Sequence, residues 1–368
     1  MMSLMQNKSM LTAEERIINE LRGMYSKRGF VPFKMSKFEE YDLYMKNKDF
    51  LMGGNIISFT DTDGSLLALK PDVTLSIIKN AKPQVGVKEK VYYSEHVYRP
   101  SGSTHKFKEI MQMGLECIGD VDGYDVCETI TLAAQSLAVI DGDFVLDLSH
   151  MGLIGALLDE AEISADGRRE LIGYVSEKNA HQAEALLKTL GVSEEISSRI
   201  LKLLSMRITL ADAERSLSEL VTTESGRAAV EEISTIARLL SGAGFQDRIF
   251  FDASVMSDMN YYNGIVFRGF ISGVSEGVLS GGRYDSMMKK MGKDSSALGF
   301  AIYLDLLEGL GDKLDEFDVD VLLIYDEKLD TGRVFSRVNE LVKAGYSVSA
   351  QKSVPEGMRY RTLERMEV

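Results

Sequence analysis

Between Met151 and Ser241 the chain reads as helix almost throughout, rich in Leu, Ala and Glu with Gly and Ser at short turns, while strand-like segments precede it and return after it. This interruption constrains the fold more than any other feature. A sheet begun before residue 150 and resumed near Arg248 has to be completed around the helical block. The strands also fail to alternate regularly with helices, which makes a doubly wound parallel sheet the poorer choice. An α+β arrangement fits the order: an antiparallel sheet flanked by helices on one face, a helical insertion, and a small C-terminal β-α-β piece.

Local signals place the elements. Thr12-Ala-Glu-Glu15 is a capping box, and Ile17, Ile18, Leu21 and Met24 follow at helical spacing, so a first helix runs to about Arg28 and ends at Gly29. Val31 to Met35 and Ile56 to Thr60 read as short strands. Gly64 sits in a turn before the strand Leu66–Leu69, and Pro71 opens a helix. Strands are expected at Val91–Arg99, Phe107–Glu116 and Phe144–Leu148, with a helix from Val126 to Leu137. After the helical block come strands at Arg248–Ala253 and Gly264–Ile271, a glycine-rich stretch from Gly273 to Gly282, and a last helix near Gly299–Leu310. A polar connector leads to Val319–Tyr325, Arg333–Ala344 and Tyr346–Ala350 as β-α-β. The expected organisation is a core of residues 11–150 and 242–312, an insertion of residues 151–241, and a truncated α/β domain of residues 317–368. That last piece lies at the small end of the roughly 50–200 residues of an independent domain.

Composition narrows the partners. The 368 residues are 45% hydrophobic and 27% charged, as in a globular chain able to bury a core. A formal charge of −14 repels phosphate backbones and anionic lipid, so neither nucleic acid nor membrane is expected as a partner. Cys117 and Cys127 belong to no Cys-x-x-Cys pair, and His96, His105, His150 and His181 form no ligand pattern. No metal and no cofactor is expected. No run approaches the ~20 apolar residues of a membrane span, and no signal-peptide pattern is evident, so the expected location is cytoplasmic.

Three clusters carry polar groups where strands end. In Leu69-Lys-Pro-Asp-Val-Thr74, Asp72 and Thr74 either accept from an amine or simply cap a helix. Arg99 either clamps a carboxylate or phosphate or pairs with a surface acid. Downstream, Gln112, Gly114 and Glu116 share one strand face by alternation, so an amide and a carboxylate project together. If that face is buried, it calls for a cationic or imidazole-bearing partner; if solvated, it calls for none. In Met259-Asn-Tyr-Tyr-Asn-Gly264 and Ser280-Gly-Gly-Arg-Tyr-Asp285, Tyr261 and Tyr262 are either the wall of a small-ligand pocket or ordinary core. Neither the strand-GxGxxG-helix nor the GxxxxGK[ST] context of a common nucleotide fold is present.

In series, these segments resemble the catalytic core of histidyl-tRNA synthetase, a class II synthetase, over roughly residues 12–310. Leu69–Thr74 is similar to that family's Leu-Arg-Pro-Glu-Gly-Thr, and Tyr98-Arg99 through Glu116 to its motif 2. Asn260–Gly264 and Ser280–Asp285 are similar to its two histidine signatures. The resemblance implies that Asp72, Thr74 and Gln112 hold an α-amino group, that Glu116 and Tyr262 read an imidazole, and that Tyr261 and Arg99 complete a histidine site. The departures are equally specific. Ser257 stands where the family has an activating arginine, and Tyr303-Leu-Asp-Leu306 replaces Gly-Leu-Glu-Arg of motif 3. Ser101 replaces the motif 2 glutamate, and Ser36 a motif 1 proline. Each cation missing from a charge-developing centre costs about 3–4 kcal/mol by analogy with oxyanion donors. Aminoacylation is therefore expected to be absent.

This combination is similar to the synthetase paralogues that serve as regulatory subunit of ATP phosphoribosyltransferase, a glycosyltransferase of histidine biosynthesis. The resemblance implies a non-catalytic chain that dimerises, assembles with the short-form ATP phosphoribosyltransferase catalytic subunit into a hetero-octamer, and carries feedback inhibition by L-histidine. Two other readings fit the same residues. One is a divergent synthetase-like ligase using Arg99 with Arg283 or Lys106 as its second cation; the other is a scaffold in which the pocket residues are leftover core.

Overall fold

The computed structural model describes residues 12–51, 55–100, 106–255, 261–310 and 317–367. The chain divides into two compact units, residues 21–306 and residues 1–20 with 307–368.

In the larger unit the described strands are β1 (Val31–Pro32), β2 (Phe38–Glu40), β3 (Ser58–Thr60), β4 (Leu66–Leu69), β5 (Lys88–Pro100), β6 (Phe107–Gly119), β7 (Phe144–His150), β8 (Arg207–Thr209), β9 (Ile249–Asp252), β10 (Ile265–Ile271), β11 (Leu279–Arg283) and β12 (Ser296–Tyr303). Among the described residues, nine of them form one sheet in the order β1-β5-β6-β12-β11-β10-β7-β9-β8. Its pairings are antiparallel except β1 with β5 and β7 with β9, which are parallel. β2, β4 and β3 form a small antiparallel sheet, with Gly64 at φ +89° in the expected turn between β3 and β4. As expected for the helical block, the strands on either side of it, β7 and β9, are neighbours in the main sheet.

Caps explain where the helices begin. Thr12 Oγ1 accepts from the Glu15 amide while Glu15 Oε2 accepts from the Thr12 amide, closing the box at the start of the helix Ala13–Lys27. Gly29, at φ +81°, takes the left-handed conformation that stops it. Asp122 and Asp125 cap the helix Gly123–Ile140 reciprocally. In the helical block, Ser164, Asn179, Ser193 and Thr223 each accept an amide at the head of a helix. Tyr25 lies fully buried against Tyr92 and Phe300 of β5 and β12, with its hydroxyl 2.8 Å from Ser136 Oγ. Ser136 Oγ itself donates to the Leu132 carbonyl oxygen, so Tyr25 is the donor to Ser136. Tyr25→Phe keeps the ring and the serine's own bond, and is expected to cost about 1 kcal/mol, read as a lower urea midpoint at unchanged slope. An unchanged midpoint would show that this bond contributes nothing.

Several expectations need correction. The helix anticipated near Gly299–Leu310 is β12 followed by a 3-10 segment, Leu304–Leu310. Strands β6 and β11 flank β12, and Ala297, Leu298, Phe300 and Ile302 are all buried. A continuous apolar run of this kind carries no period that separates a doubly buried strand from a helix. The glycine-rich stretch contains β11, the helix expected from Pro71 starts at Thr74, and the helical block holds one short strand, β8, paired with β9. The strand expected over Val31–Met35 shortens to Val31–Pro32.

The smaller unit contains β13 (Val319–Tyr325), β14 (Val348–Gln351) and β15 (Tyr360–Met366) in the order β14-β13-β15, all parallel, with the helix Thr331–Lys343. The expected β-α-β piece thus gains a third strand. β15 carries Arg361, Glu364 and Arg365 and has mostly exposed positions, so main-chain pairing with β13 rather than an apolar pattern defines it. Arg337 on the helix grips Glu364 with two hydrogen bonds of 2.7 and 3.0 Å. Leu323, Leu329 and Val334 form the local core.

Candidate functional site

The helix Ala13–Lys27 packs through Tyr25 on Tyr92 and Phe300. Residues of the opposite parity, Tyr93, Gly299 and Ala301, face the other way, into a cavity of about 270 Å³. That is just under the roughly 300–1,000 Å³ of pockets for drug-sized ligands, so the cavity suits something smaller. Asp72, Thr74, Arg99, Gln112, Glu116, Tyr261 and Tyr262 all line it. The structure therefore brings together the seven residues expected to form a histidine site. Ser257, Asn260 and Ser101 lie outside the described residues.

Glu116 forms the closed end. It is 2% exposed and accepts from Thr74 Oγ1 at 2.9 Å and from the Tyr284 hydroxyl at 2.5 Å. Burial pushes its carboxyl up to about 8, against the opposing pull of the hydrogen bonds from Tyr284 and Thr74, with the charge of Asp72 adding to the rise. The floor below it is Gly299, its cross-strand partner, where a Cβ would come within 1.7 Å of Glu116 Oε2. The carboxylate occupies the space that any side chain at 299 would need.

Asp72 sits before the helix Thr74–Asn80 and accepts from the Leu75 amide at 2.8 Å. Burial raises its carboxyl pKa, and the Arg99 charge and the Leu75 and Thr74 amides offset part of that. Helix capping and cavity lining are thus not alternatives at this residue: Oδ1 caps while the residue lines the cavity. Arg99 Nε donates to the Pro71 carbonyl oxygen at 2.6 Å, and its Nη2 lies 3.5 Å from Asp72 Oδ2. The arginine braces the turn that presents Asp72. Gln112 is 2% exposed, and its Nε2 is buried with no hydrogen-bond partner.

Aromatic rings complete the enclosure. Tyr261 and Tyr262 have centroids 4.6 Å apart, with Tyr284 at 6.1 Å and Phe50 at 6.3 Å from Tyr261. Burial raises the hydroxyl pKa values of Tyr93, Tyr261, Tyr262 and Tyr284 well above the phenolic norm. Neutral phenols therefore surround two buried carboxyl groups, and Arg99 is the one cation among the described lining residues. Such a cavity favours a ligand carrying an ammonium and an N–H donor, because those groups satisfy buried acceptors that otherwise lack compensation.

Tyr93, Tyr284 and Tyr303 were not among the candidate residues. Tyr284 was recoverable, since it lies inside the quoted Ser280–Asp285 signature. Tyr93 and Tyr303 sit in strands where an aromatic residue reads as core, and only the register reveals them, Tyr93 opposite Gly114 and Tyr303 opposite Gln112. Arg283, named for a ligase reading, has the opposite parity to the cavity-lining Ser280 and Tyr284. Asp285 and Ser296 hold it at 2.8 and 3.0 Å. Cys117 and Cys127 are free, and burial lifts their thiols to about 12 and about 11, which leaves them unreactive. Among the described residues no group of three or more His, Cys, Asp or Glu is placed to hold a metal ion, and no helix is long and apolar enough to cross a membrane.

The family model described as histidyl-tRNA synthetase matches residues 7–307. The ATP phosphoribosyltransferase regulatory subunit of Clostridium kluyveri is 28% identical over 342 residues, covering 90% of this chain and 87% of its own. That of Caldanaerobacter subterraneus is 29% identical over 299 residues, covering 79% of this chain and 77% of its own. Two crystal structures share the fold. An ATP phosphoribosyltransferase regulatory subunit/histidyl-tRNA synthetase from Bacillus halodurans has a TM-score of 0.76 at 24% identity over 96% of this chain and 93% of that one. Histidyl-tRNA synthetase from Nostoc sp. has a TM-score of 0.75 at 17% identity over 94% of this chain and 83% of that one. With the family model spanning most of its length and the cavity built from the segments that carry the likeness, the chain belongs to the histidyl-tRNA synthetase family, and within it resembles the ATP phosphoribosyltransferase regulatory subunits.

Proposed function

We propose that this chain is a non-catalytic regulatory subunit of ATP phosphoribosyltransferase and that its cavity binds L-histidine as the feedback effector. One observation carries the reading. The buried cavity keeps paired acceptors for an amino group and an imidazole, Asp72 and Glu116, while Arg99 is its one cation among the described lining residues and already braces the Pro71–Asp72 turn. Recognition of a small cationic amino acid fits that chemistry. Stabilising the charge that develops on phosphorus during adenylation does not, because it requires several converging cations.

In this reading the imidazole lies against Glu116 and Tyr262, the α-ammonium against Asp72, Thr74 and Gln112, and Tyr261 and Arg99 close the site. The partners are the short-form catalytic subunit, a glycosyltransferase chain, and a second copy of this chain, in a cytoplasmic hetero-octamer. Histidine acts by linkage: it favours an assembly state in which the catalytic subunit is less competent, and the catalytic subunit's substrates weaken histidine binding by the same factor.

The test combines the purified chain with a short-form catalytic subunit. Phosphoribosyl transfer is expected to depend on this chain and to fall on addition of histidine, with calorimetry reporting histidine binding to the chain or to the complex. No heat from either would remove the histidine site. Histidine-dependent pyrophosphate exchange by the chain alone would establish the ligase reading instead.

A further inference from the structure

The register of β6 against β12 sets three stations along the cavity: Glu116 beside Gly299, Gly114 beside Ala301, and Gln112 beside Tyr303. Alternation places all of them on one face, with successive stations about 7 Å apart. The first is the closed end, where Thr74 and Tyr284 grip Glu116. On β12 the first two stations carry Gly299 and Ala301, and Tyr303 is the first bulky side chain of that strand on the cavity face, while across from it the Tyr93 ring covers Gly114 at the second station. Tyr303 lines the cavity together with Tyr93 and Tyr262, so its ring borders the enclosed space rather than turning away from it. The third station also offers donors: the unpartnered, buried Nε2 of Gln112 and the Tyr303 phenol.

We propose that Tyr303 caps the cavity at its third station, so that it accepts an imidazole amino acid with a free α-carboxylate and excludes the same amino acid once its carboxyl carries a bulky substituent. The inference rests on the proposed histidine reading. With the imidazole against Glu116 and the ammonium against Asp72, the carboxylate points towards Gln112 and Tyr303. There Gln112 Nε2 and the phenol donate to it, while Gln112 Oε1 is left to accept from the ammonium. A large acyl substituent has to occupy the volume of the Tyr303 ring. The cap thus selects the free end product over activated or conjugated forms, as a feedback site requires.

The test measures binding of L-histidine, L-histidinamide and L-histidine β-naphthylamide to the full-length chain by calorimetry. The wild type is expected to bind the naphthylamide roughly 100-fold more weakly than histidinamide, the upper range for overfilling a packed site. Histidinamide corrects for the lost carboxylate charge. Tyr303→Gly is expected to bring the naphthylamide to within about tenfold of histidinamide, while Tyr303→Phe, which keeps the ring, retains the exclusion and loses only part of the affinity for histidine. Equal wild-type affinities for the two amides, with histidine itself bound, would overturn the cap and leave the histidine site standing. Persistent exclusion in folded Tyr303→Gly would do the same. Absence of histidine binding by the wild type, alone and in complex, would overturn the underlying reading first.

Discussion

Gly299→Ala is expected to destabilise the larger unit by about 3 kcal/mol or more and to abolish ligand binding, the upper end of what overpacking a core costs. A methyl group at 299 would lie 1.7 Å from Glu116 Oε2 and 2.4 Å from the Leu115 carbonyl oxygen. Neither neighbour can yield cheaply. The carboxyl is held by Thr74 and Tyr284, and Leu115 lies in β6 between β5 and β12. Relief requires separating β6 from β12, which carry both the cavity floor and the central pairing of the sheet. Chemical denaturation of the variant checks the first part and histidine calorimetry the second. A variant with wild-type midpoint and affinity would show that the carboxyl does not rest on this glycine.

That dependence on register explains what was legible in the sequence. The capping box at Thr12, the β3–β4 turn and the alternation of Gln112, Gly114 and Glu116 are local patterns, and the structure reproduces them. Polar groups at strand ends and helix starts mark the candidate clusters, but pattern alone leaves each open between a ligand role and a structural one, and it is the resemblance in series that joins them into one site. Other features depend on contacts between distant segments. β12 reads as helix until β6, some 180 residues earlier, is known to lie beside it. Tyr303 reads as core until Gln112 is known to face it, and β15 has too few apolar positions to announce a strand before β13 offers its edge. What a local window misses here is the partner, not the propensity.

The second large effect is a pH dependence centred on Glu116. Burial is the main cause of the rise of its carboxyl from 4.5 to about 8, whereas in the unfolded chain it titrates near the ordinary value. Between those values the native state holds a proton that the unfolded state releases, so stability falls as pH rises. The contribution is fully present below about 4.5 and is lost as pH climbs through about 8. The limiting slope is about 1.4 kcal/mol per pH unit, and a loss on the order of a few kcal/mol is expected across the window. Glu116→Gln keeps the shape and removes the charge, so its stability curve is expected to run flatter from pH 5 to 8 and to cross above the wild type at the alkaline end. Ligand binding follows the same proton. Between an imidazole pKa of about 6.5 and the carboxyl at about 8, the free partners already carry the single proton that a carboxylate–imidazolium pair shares. Affinity for histidine is therefore expected to peak in that interval. It falls below it because a proton must be released, and above it because one must be taken up. Calorimetry in buffers of different ionisation enthalpy reads the proton directly, with release on the acid side and uptake on the alkaline side. Parallel stability curves for wild type and Glu116→Gln would contradict a raised carboxyl, and identical pH profiles of affinity in the two proteins would place the imidazole somewhere other than at Glu116.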